Sequence, residues 1–445
     1  MDILTTVKGK LSPFQIIILG FAGVILIGAL LLMLPISSKT HQVTPFIDAL
    51  FTSTSAVCVT GLVVRDTAMY WSYFGQGVIL VLIQMGGLGV VTVASFLAVV
   101  AGRKISLMQR QAIQSSLSAP QVGGIVRLTS FVFRTAFAVE LVGVAALLPF
   151  FCSKYGLAGI WMSVFHSISA FCNAGFDLMG GKTGTFSSLT SFDDNAYVTV
   201  IFSLLIFTGG IGFLTWDDIV KKKFRLKEYR MQSKVILTTS LLLILVPAVL
   251  FFCFDFANLP LKSRICQSVF QAVTPRTAGF NTADLTKMTS AGLGIIMILM
   301  LIGGSPGSTA GGMKTTTIAV LFGNTIAVFR RRDNAKFFGR RIGDHEIKNA
   351  STIFFMYLML SIGGGLIISV CENISLSTSL FEAISAIGTV GLTLGITSEL
   401  GAVSKVVLML LMFFGRVGGL TMIYAAFSRR DTFVSKYPLE HITVG

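Results

Sequence analysis

Four short segments of this chain resemble one another, and each lies between two long apolar runs. They read FTSTSAVCVTGLV from Phe51, FHSISAFCNAGFD from Phe165, FQAVTPRTAGFNT from Phe270 and FEAISAIGTVGLT from Phe381. Each opens with Phe, continues through small and hydroxyl residues, and reaches a glycine nine or ten positions on: Gly61, Gly175, Gly279 and Gly391. A second marker follows in each downstream run, QMGGLG around Gly87, FTGGIG around Gly210, IGGSPG around Gly304 and RVGGLT around Gly419. Two markers in the same order four times are the signature of internal repeats, and repeats govern the whole fold.

An apolar run of about twenty residues is long enough to cross a hydrocarbon layer as a helix. The chain has eight, at 15–34, 77–100, 128–151, 198–219, 235–254, 292–328, 353–370 and 403–427. Composition agrees: 53% of the residues are hydrophobic, only 12% are charged, and the mean hydropathy is +0.80. A soluble domain carries roughly a quarter charged residues, so a water-soluble particle is excluded. The four short segments are too short to span and are expected to be re-entrant. The expected fold is therefore an all-α membrane protein with four tandem helix–pore-helix–helix repeats. Its eight transmembrane helices and four re-entrant segments would surround a pseudo-fourfold central pore. Repeat 1 covers 1–110, repeat 2 covers 111–233, repeat 3 covers 234–350 with an intramembrane loop at 303–317, and repeat 4 covers 351–430. A cytoplasmic tail, 431–445, follows. Lys8 and Lys10 precede the first apolar run, which reads as a spanning helix rather than a removed signal.

The net charge is +15, with 35 Lys and Arg against 20 Asp and Glu. In a soluble protein that excess points to nucleic acid; here its position decides. Arg103, Lys104 and Arg110 follow the first repeat, and Lys221, Lys222, Lys223, Arg225, Lys227 and Arg230 follow the second. Arg330, Arg331, Arg332, Lys336, Arg340 and Arg341 follow the third, and Arg429, Arg430 and Lys436 the fourth. All four clusters fall on one side, which the positive-inside rule makes cytoplasmic. The short segments then dip in from outside, in a cell membrane. Asp48, Asp177, Asp193, Asp194, Asp284, Glu382 and Glu399 flank them. An acidic entrance raises the local cation concentration, although each carboxylate alone reads as ordinary solvated loop charge.

Enzyme motifs are weak. Gly303-Gly304-Ser305-Pro306-Gly307 fits G-x-S-x-G, yet a nucleophile elbow needs a preceding strand and a histidine in reach. The stretch from Gly307 to Thr315 approaches a phosphate-binding loop, but Met313 separates Gly312 from Lys314. The six cysteines form no C-x-x-C pair, and the four histidines are dispersed, so neither a zinc site nor a disulfide framework is indicated. The chain is not expected to be an enzyme or to carry an organic cofactor.

Non-helical backbone survives at membrane depth only when it is buried in protein or lines a watery cavity. Four glycine-containing strands meeting on an axis satisfy that condition, and a ring of their carbonyls can replace the water around a dehydrated monovalent cation. The candidate filter residues are Val59, Thr60 and Gly61; Asn173, Ala174 and Gly175; Thr277, Ala278 and Gly279; Thr389, Val390 and Gly391.

The signatures SAVCVTGL, FCNAGF, TPRTAGFN and GTVGLT resemble those of the Trk/Ktr/HKT potassium transporters over essentially the whole chain. The likeness is nearest to the B or D membrane-subunit type of the bacterial Ktr systems. It implies that the four glycines select K+, the transported ion held at the filter residues. Some plant relatives carry Ser at the first position and favour Na+, so Gly61 argues for K+. The resemblance also implies a homodimer regulated by a ring of cytosolic RCK-type subunits, of the Ktr A or C kind, which bind ATP, ADP or NAD(H). Stimulation by Na+ is a family trait, but no sodium site is legible.

In the third repeat, Gly303, Gly304, Ser305, Pro306, Gly307, Ser308, Thr309, Ala310, Gly311 and Gly312 break the downstream helix. The resemblance implies a gate there. Lys314 and Arg416 are charges in an apolar setting and thus candidate gate residues, with snorkelling to the interface as the alternative. Arg416 is expected to hold the loop through its carbonyls. Arg134 and Glu140 read as a structural pair or an interface anchor. The rival function is an alternating-access cation or solute symporter, although such folds usually have inverted repeats.

Overall fold

The computed structural model describes residues 12–102, 105–118, 121 and 123–426. Lys8, Lys10, Arg103, Lys104, Arg429, Arg430, Lys436 and the tail 431–445 lie outside the described residues. Helix α1 (Pro13–Met33) begins at a reciprocal cap: Ser12 N donates to Gln15 Oε1 at 2.9 Å, and Gln15 N donates to Ser12 Oγ at 3.2 Å. It is followed by the short α2 (Phe46–Val57), then α3 (Tyr73–Leu88), α4 (Val90–Val100) and α5 (Leu107–Ser116). Next come α6 (Ile125–Tyr155), the short α7 (Ala158–Phe171), α8 (Ala196–Gly210) and α9 (Phe213–Lys222). Helix α10 (Met231–Leu250) ends in a π-helical turn and leads to α11 (Leu261–Val273), α12 (Ser290–Leu301) and α13 (Thr315–Phe329). The chain closes with a two-stranded hairpin, β1 (Lys336–Phe337) and β2 (Arg340–Arg341), then α14 (Asp344–Glu372), α15 (Leu376–Gly388), α16 (Ala402–Val417) and α17 (Gly419–Ala426).

Among the described residues, four helices are long and apolar enough to cross a membrane as single rods: α1, α6, α10 with its π turn, and α14. The protein is membrane-integral and mostly helical. Its surface chemistry is that of a lipid-facing body, with Leu26, Ile27, Leu30, Leu241, Leu242 and Leu245 exposed while Ser53, Ser55, Ser167 and Ser169 are buried. Buried hydroxyls in the short helices find backbone partners, some one turn earlier, as Thr54 Oγ1 does to Leu50 O at 2.7 Å and Ser163 Oγ to Gly159 O at 2.7 Å, others across the core, as Ser53 Oγ does to Ile25 O at 2.7 Å. The opening Phe of every short segment, Phe51, Phe165, Phe270 and Phe381, is buried, which explains its recurrence in the sequence.

Three of the eight apolar runs are sharply bent. The runs at 77–100, 198–219 and 403–427 turn by 96°, 100° and 93° between α3 and α4, α8 and α9, and α16 and α17. The turns occur at Gly89, Gly212 and Gly418, whose φ values of 87°, 86° and 89° are ones that side chains with a Cβ avoid. The run at 292–328 is two helices, α12 and α13, separated by residues 302–314. Among the described residues, length and composition give up to seven spans if each bent pair is counted once, with α12 and α13 too short to be counted.

Candidate ion-conduction site

Each short helix ends just before its candidate filter residues. The exit is made by a left-handed residue two before each glycine: Val59, Asn173, Thr277 and Thr389, at φ of 56°, 57°, 70° and 51°. The glycines themselves follow at 88°, 71°, 78° and 93°. Non-glycine residues in this region are uncommon and persist only where their surroundings hold them. The intervening amide turns back toward the residue's own helix, Thr60 N to Ser55 O, Ala174 N to Ser169 O and Val390 N to Ser385 O, each at 2.8 Å, and Ala278 N to Thr274 O at 2.9 Å.

The segments meet. A methyl group added to Gly61 would lie 2.5 Å from the carbonyl oxygen of Ala174, and one on Gly175 would lie 2.9 Å from that of Ala278. On Gly279 it would strike the Val390 carbonyl, and on Gly391 the Thr60 carbonyl. The contacts therefore pass from first to second to third to fourth segment and back to the first, as a closed cycle. The C-terminal, partially negative ends of α2, α7, α11 and α15 lead into it, an electrostatic arrangement favourable to a cation.

A cavity of about 390 Å³ borders all four glycines and also touches Asp66, Asp177 and Asp284. Hydrogen bonds from the Thr286 hydroxyl and the Lys287 ammonium hold the Asp284 carboxyl below its ordinary range. Burial pushes the Asp177 carboxyl up to about 7, and the Asp66 charge adds to the rise. The other acidic residues have different surroundings. Asp48 pairs with Arg65 at 2.9 Å and Lys405 at 3.1 Å, Asp193 accepts from Gln267 at 3.0 Å, and Asp194 pairs with Lys262 at the surface at 3.6 Å. Glu399 is exposed, and Glu382 is buried behind the fourth segment.

On the other side of the four segments runs the loop 302–314. It is tied to the second segment's neighbourhood by Ser305 N to Gly210 O at 2.9 Å and by Thr309 Oγ1 to Phe171 O and Gly209 O, both at 3.0 Å. It is tied to the fourth by Gly312 N to Gly415 O at 3.1 Å, and Gly311 packs so closely on the Thr389 side chain that it has no room for a Cβ. Lys314 Nζ folds back onto Ala310 O at 2.9 Å and Gly311 O at 3.1 Å. Arg416 donates to the loop at Thr309 O and to the first segment's downstream helix at Gly86 O and Gly87 O, the last at 2.9 Å. Loop and guanidinium together thus link the third quarter of the chain to the second and fourth, and the fourth to the first. A second cavity, of about 190 Å³, lies against Gly307, Lys314 and Arg416.

A family model described as TrkH, cation transport protein, matches residues 9–436. The chain belongs to this family. Among relatives of this TrkH-family chain, the potassium/sodium uptake protein NtpJ of Enterococcus hirae is 40% identical over 99% of this chain and 98% of its own length. The Ktr system potassium uptake protein B of Bacillus subtilis is 36% identical over 98% of this chain and 97% of its own. A crystal structure of the potassium transporter TrkH from Vibrio parahaemolyticus superimposes with a TM-score of 0.74 at 19% identity, covering 95% of this chain and 85% of the other, and shows the same fold. The TrkH-family chain is a membrane transporter, not an enzyme.

Two sequence expectations for the TrkH-family chain need correction. Arg134 is exposed, whereas Glu140 is buried and accepts from Gln84 Nε2 at 2.9 Å, so the two are not a pair. Of the seven carboxylates expected at an entrance, only Asp177 and Asp284 line the cavity beside the four glycines; Asp66, the N-cap of the turn Thr67–Tyr70, lines it too and was not singled out in the sequence. Arg416 meets a loop carbonyl, Thr309 O, as the sequence reading expected, but its bonds to Gly86 O and Gly87 O were not foreseen. The signal was present in the second glycine marker: Gly86, Gly209 and Gly415 leave no space for a Cβ against the carbonyls of Val57, Phe171 and Ile387, so helix and short segment are in backbone contact there.

Proposed function

We propose that the chain takes up K+ across the cell membrane through a channel-like pore. The proposal includes a filter made by Val59–Gly61, Asn173–Gly175, Thr277–Gly279 and Thr389–Gly391, and four tandem repeats arranged pseudo-fourfold around it. The observation that carries this reading is the closed cycle of glycine-to-carbonyl contacts. Main-chain oxygens crowded around one axis can replace an ion's hydration shell, and the four helix C-termini add negative potential. The relatives' names supply the ion, K+ with Na+ as a second cation.

In this reading the loop within 303–317, with Lys314 and Arg416, is the gate, and the hydrogen bonds from Arg416 hold it shut beneath the filter. The basic residues from 221 to 230 and from 330 to 341 follow helices that lead away from the filter, which supports an outward-facing filter and a cytoplasmic basic face. That face would receive the cytosolic nucleotide-binding ring, and the chain would work as a homodimer. An alternating-access symporter is disfavoured because all four short helices lead into the filter in the same sense.

The test is uptake into vesicles containing the full-length protein, with K+ and Na+ compared. Gly279→Ser and Gly391→Ser are expected to lower the K+/Na+ uptake ratio at least about tenfold, because each places a side chain against a ring carbonyl. An unchanged ratio in both variants removes the filter. Strict co-transport of a second solute would instead support the symporter.

A further inference from the structure

Directly after the opening Phe, the four short helices carry Thr52, His166, Gln271 and Glu382, all buried. Three of these side chains reach across to the strand that leaves the filter. His166 Nδ1 lies 2.7 Å from Met162 O and carries its proton there, so Nε2 is free to accept from Leu178 N at 3.2 Å. Glu382 Oε1 accepts from Leu394 N at 3.2 Å and from the Thr393 hydroxyl, while Oε2 accepts from Thr397 Oγ1 at 2.9 Å. Gln271 Nε2 donates to Asn281 Oδ1 at 2.8 Å, and the same oxygen receives Ala283 N at 3.1 Å. Leu178 and Leu394 each stand three residues beyond their filter glycine. Thr52 differs: its hydroxyl donates to Asp48 O, 2.9 Å away in its own helix.

We infer that His166, Gln271 and Glu382 are positioning residues that brace the exit strands of three filter segments; the first segment has no brace from this helical position, and Asp48 of the same short helix instead holds Arg65, four residues beyond Gly61. The inference rests on the filter reading above. A carbonyl ring discriminates between cations of different size only if its oxygens keep their spacing, and that spacing is set by what grips the strand from behind. Chemically different side chains reach the same stretch of strand from the same helical position, which is what a positioning role predicts and accidental packing does not. Glu382 is the strongest of the three because a carboxylate accepts from an amide and two hydroxyls at once.

The decisive pair is Glu382→Gln, which keeps an acceptor for Leu394 N, and Glu382→Leu, which keeps the bulk and removes it. K+ and Na+ uptake are measured in vesicles with the full-length protein, alongside its abundance and thermal unfolding. The Leu variant should lower the K+/Na+ ratio about tenfold and the Gln variant should stay within about twofold of the parent. Thr52→Val should leave the ratio unchanged. A folded Leu variant with the parental ratio overturns the proposal, as do equal losses in the Leu and Gln variants or a comparable loss in Thr52→Val. If Glu382→Leu does not accumulate, His166→Gln and His166→Leu provide the same comparison with the same outcomes. Gly279→Ser measured beside them separates the two readings. A changed ratio there with unchanged brace variants sinks the brace alone, whereas no change in either sinks the filter.

Discussion

The helices downstream of the four short segments divide into three that bend and one that opens. Between α3 and α4, α8 and α9, and α16 and α17, a single glycine with positive φ turns the chain by 93° to 100°. Between α12 and α13 the corresponding place holds the loop 302–314, which reaches backbone of the second and fourth segments. A bend needs one residue without a Cβ, and it leaves the hydrogen-bond ladder intact on both sides. A loop exposes many backbone groups, and here Gly209, Gly210, Gly415, Lys314 and Arg416 satisfy several of them, as burial in protein requires. The difference teaches that one of the four downstream runs has given up helix continuity, and that its freed backbone is held by groups from neighbouring helices.

The largest expected effect comes from breaking the loop's tie. Arg416→Ala removes charge-assisted bonds to Thr309, Gly86 and Gly87 and a positive charge beside the proposed pathway. K+ flux into vesicles should rise on the order of a hundredfold, with Arg416→Lys between variant and parent. Unchanged flux would make the open quarter no more a gate than the bent ones.

Smaller effects should grade the three bends. Gly212→Ala combines an unfavourable φ with a Cβ 2.6 Å from Pro306 O and should cost about 3 kcal/mol. Gly89→Ala, with Ser116 Oγ at 3.0 Å, should cost about 2 kcal/mol, and Gly418→Ala, facing open space, about 1 kcal/mol. Chemical denaturation in detergent measures the series. A reversed order would show that the bends are not set by this glycine geometry.

The smallest effect is expected at the cavity beside the four glycines, away from the loop. The Asp177 carboxyl, raised to about 7, is charged above that pH and gains a proton below it. Uptake at low external K+ should therefore fall about twofold as external pH drops through 7, because the outer cavity loses negative charge. Asp177→Asn should flatten this profile, and Arg416→Ala should leave it intact. A profile that vanishes in Arg416→Ala instead would mean that the bent and open quarters are coupled through the outer mouth.

Much of the molecule was legible in the residues alone. Apolar length identified the membrane and the starts of the spans, and caps such as Ser12, Ser72 and Ser375 lie where helices begin. The four glycines and the broken stretch at 303–317 were legible because a missing Cβ or a proline acts on the chain locally, whatever surrounds it. The right-angle turns were not, since LGV at Gly89 and VGG at Gly418 read as ordinary apolar helix. Nor were the cyclic order of glycine-to-carbonyl contacts, the Gly86 and Gly87 carbonyls that receive Arg416, or the reach of His166 and Glu382 to their strands. Those depend on groups more than a hundred residues apart or on the direction of a side chain within a packed core. Local chemistry sets where a chain can cross or leave a helix; only packing decides which backbone oxygen each freed donor meets.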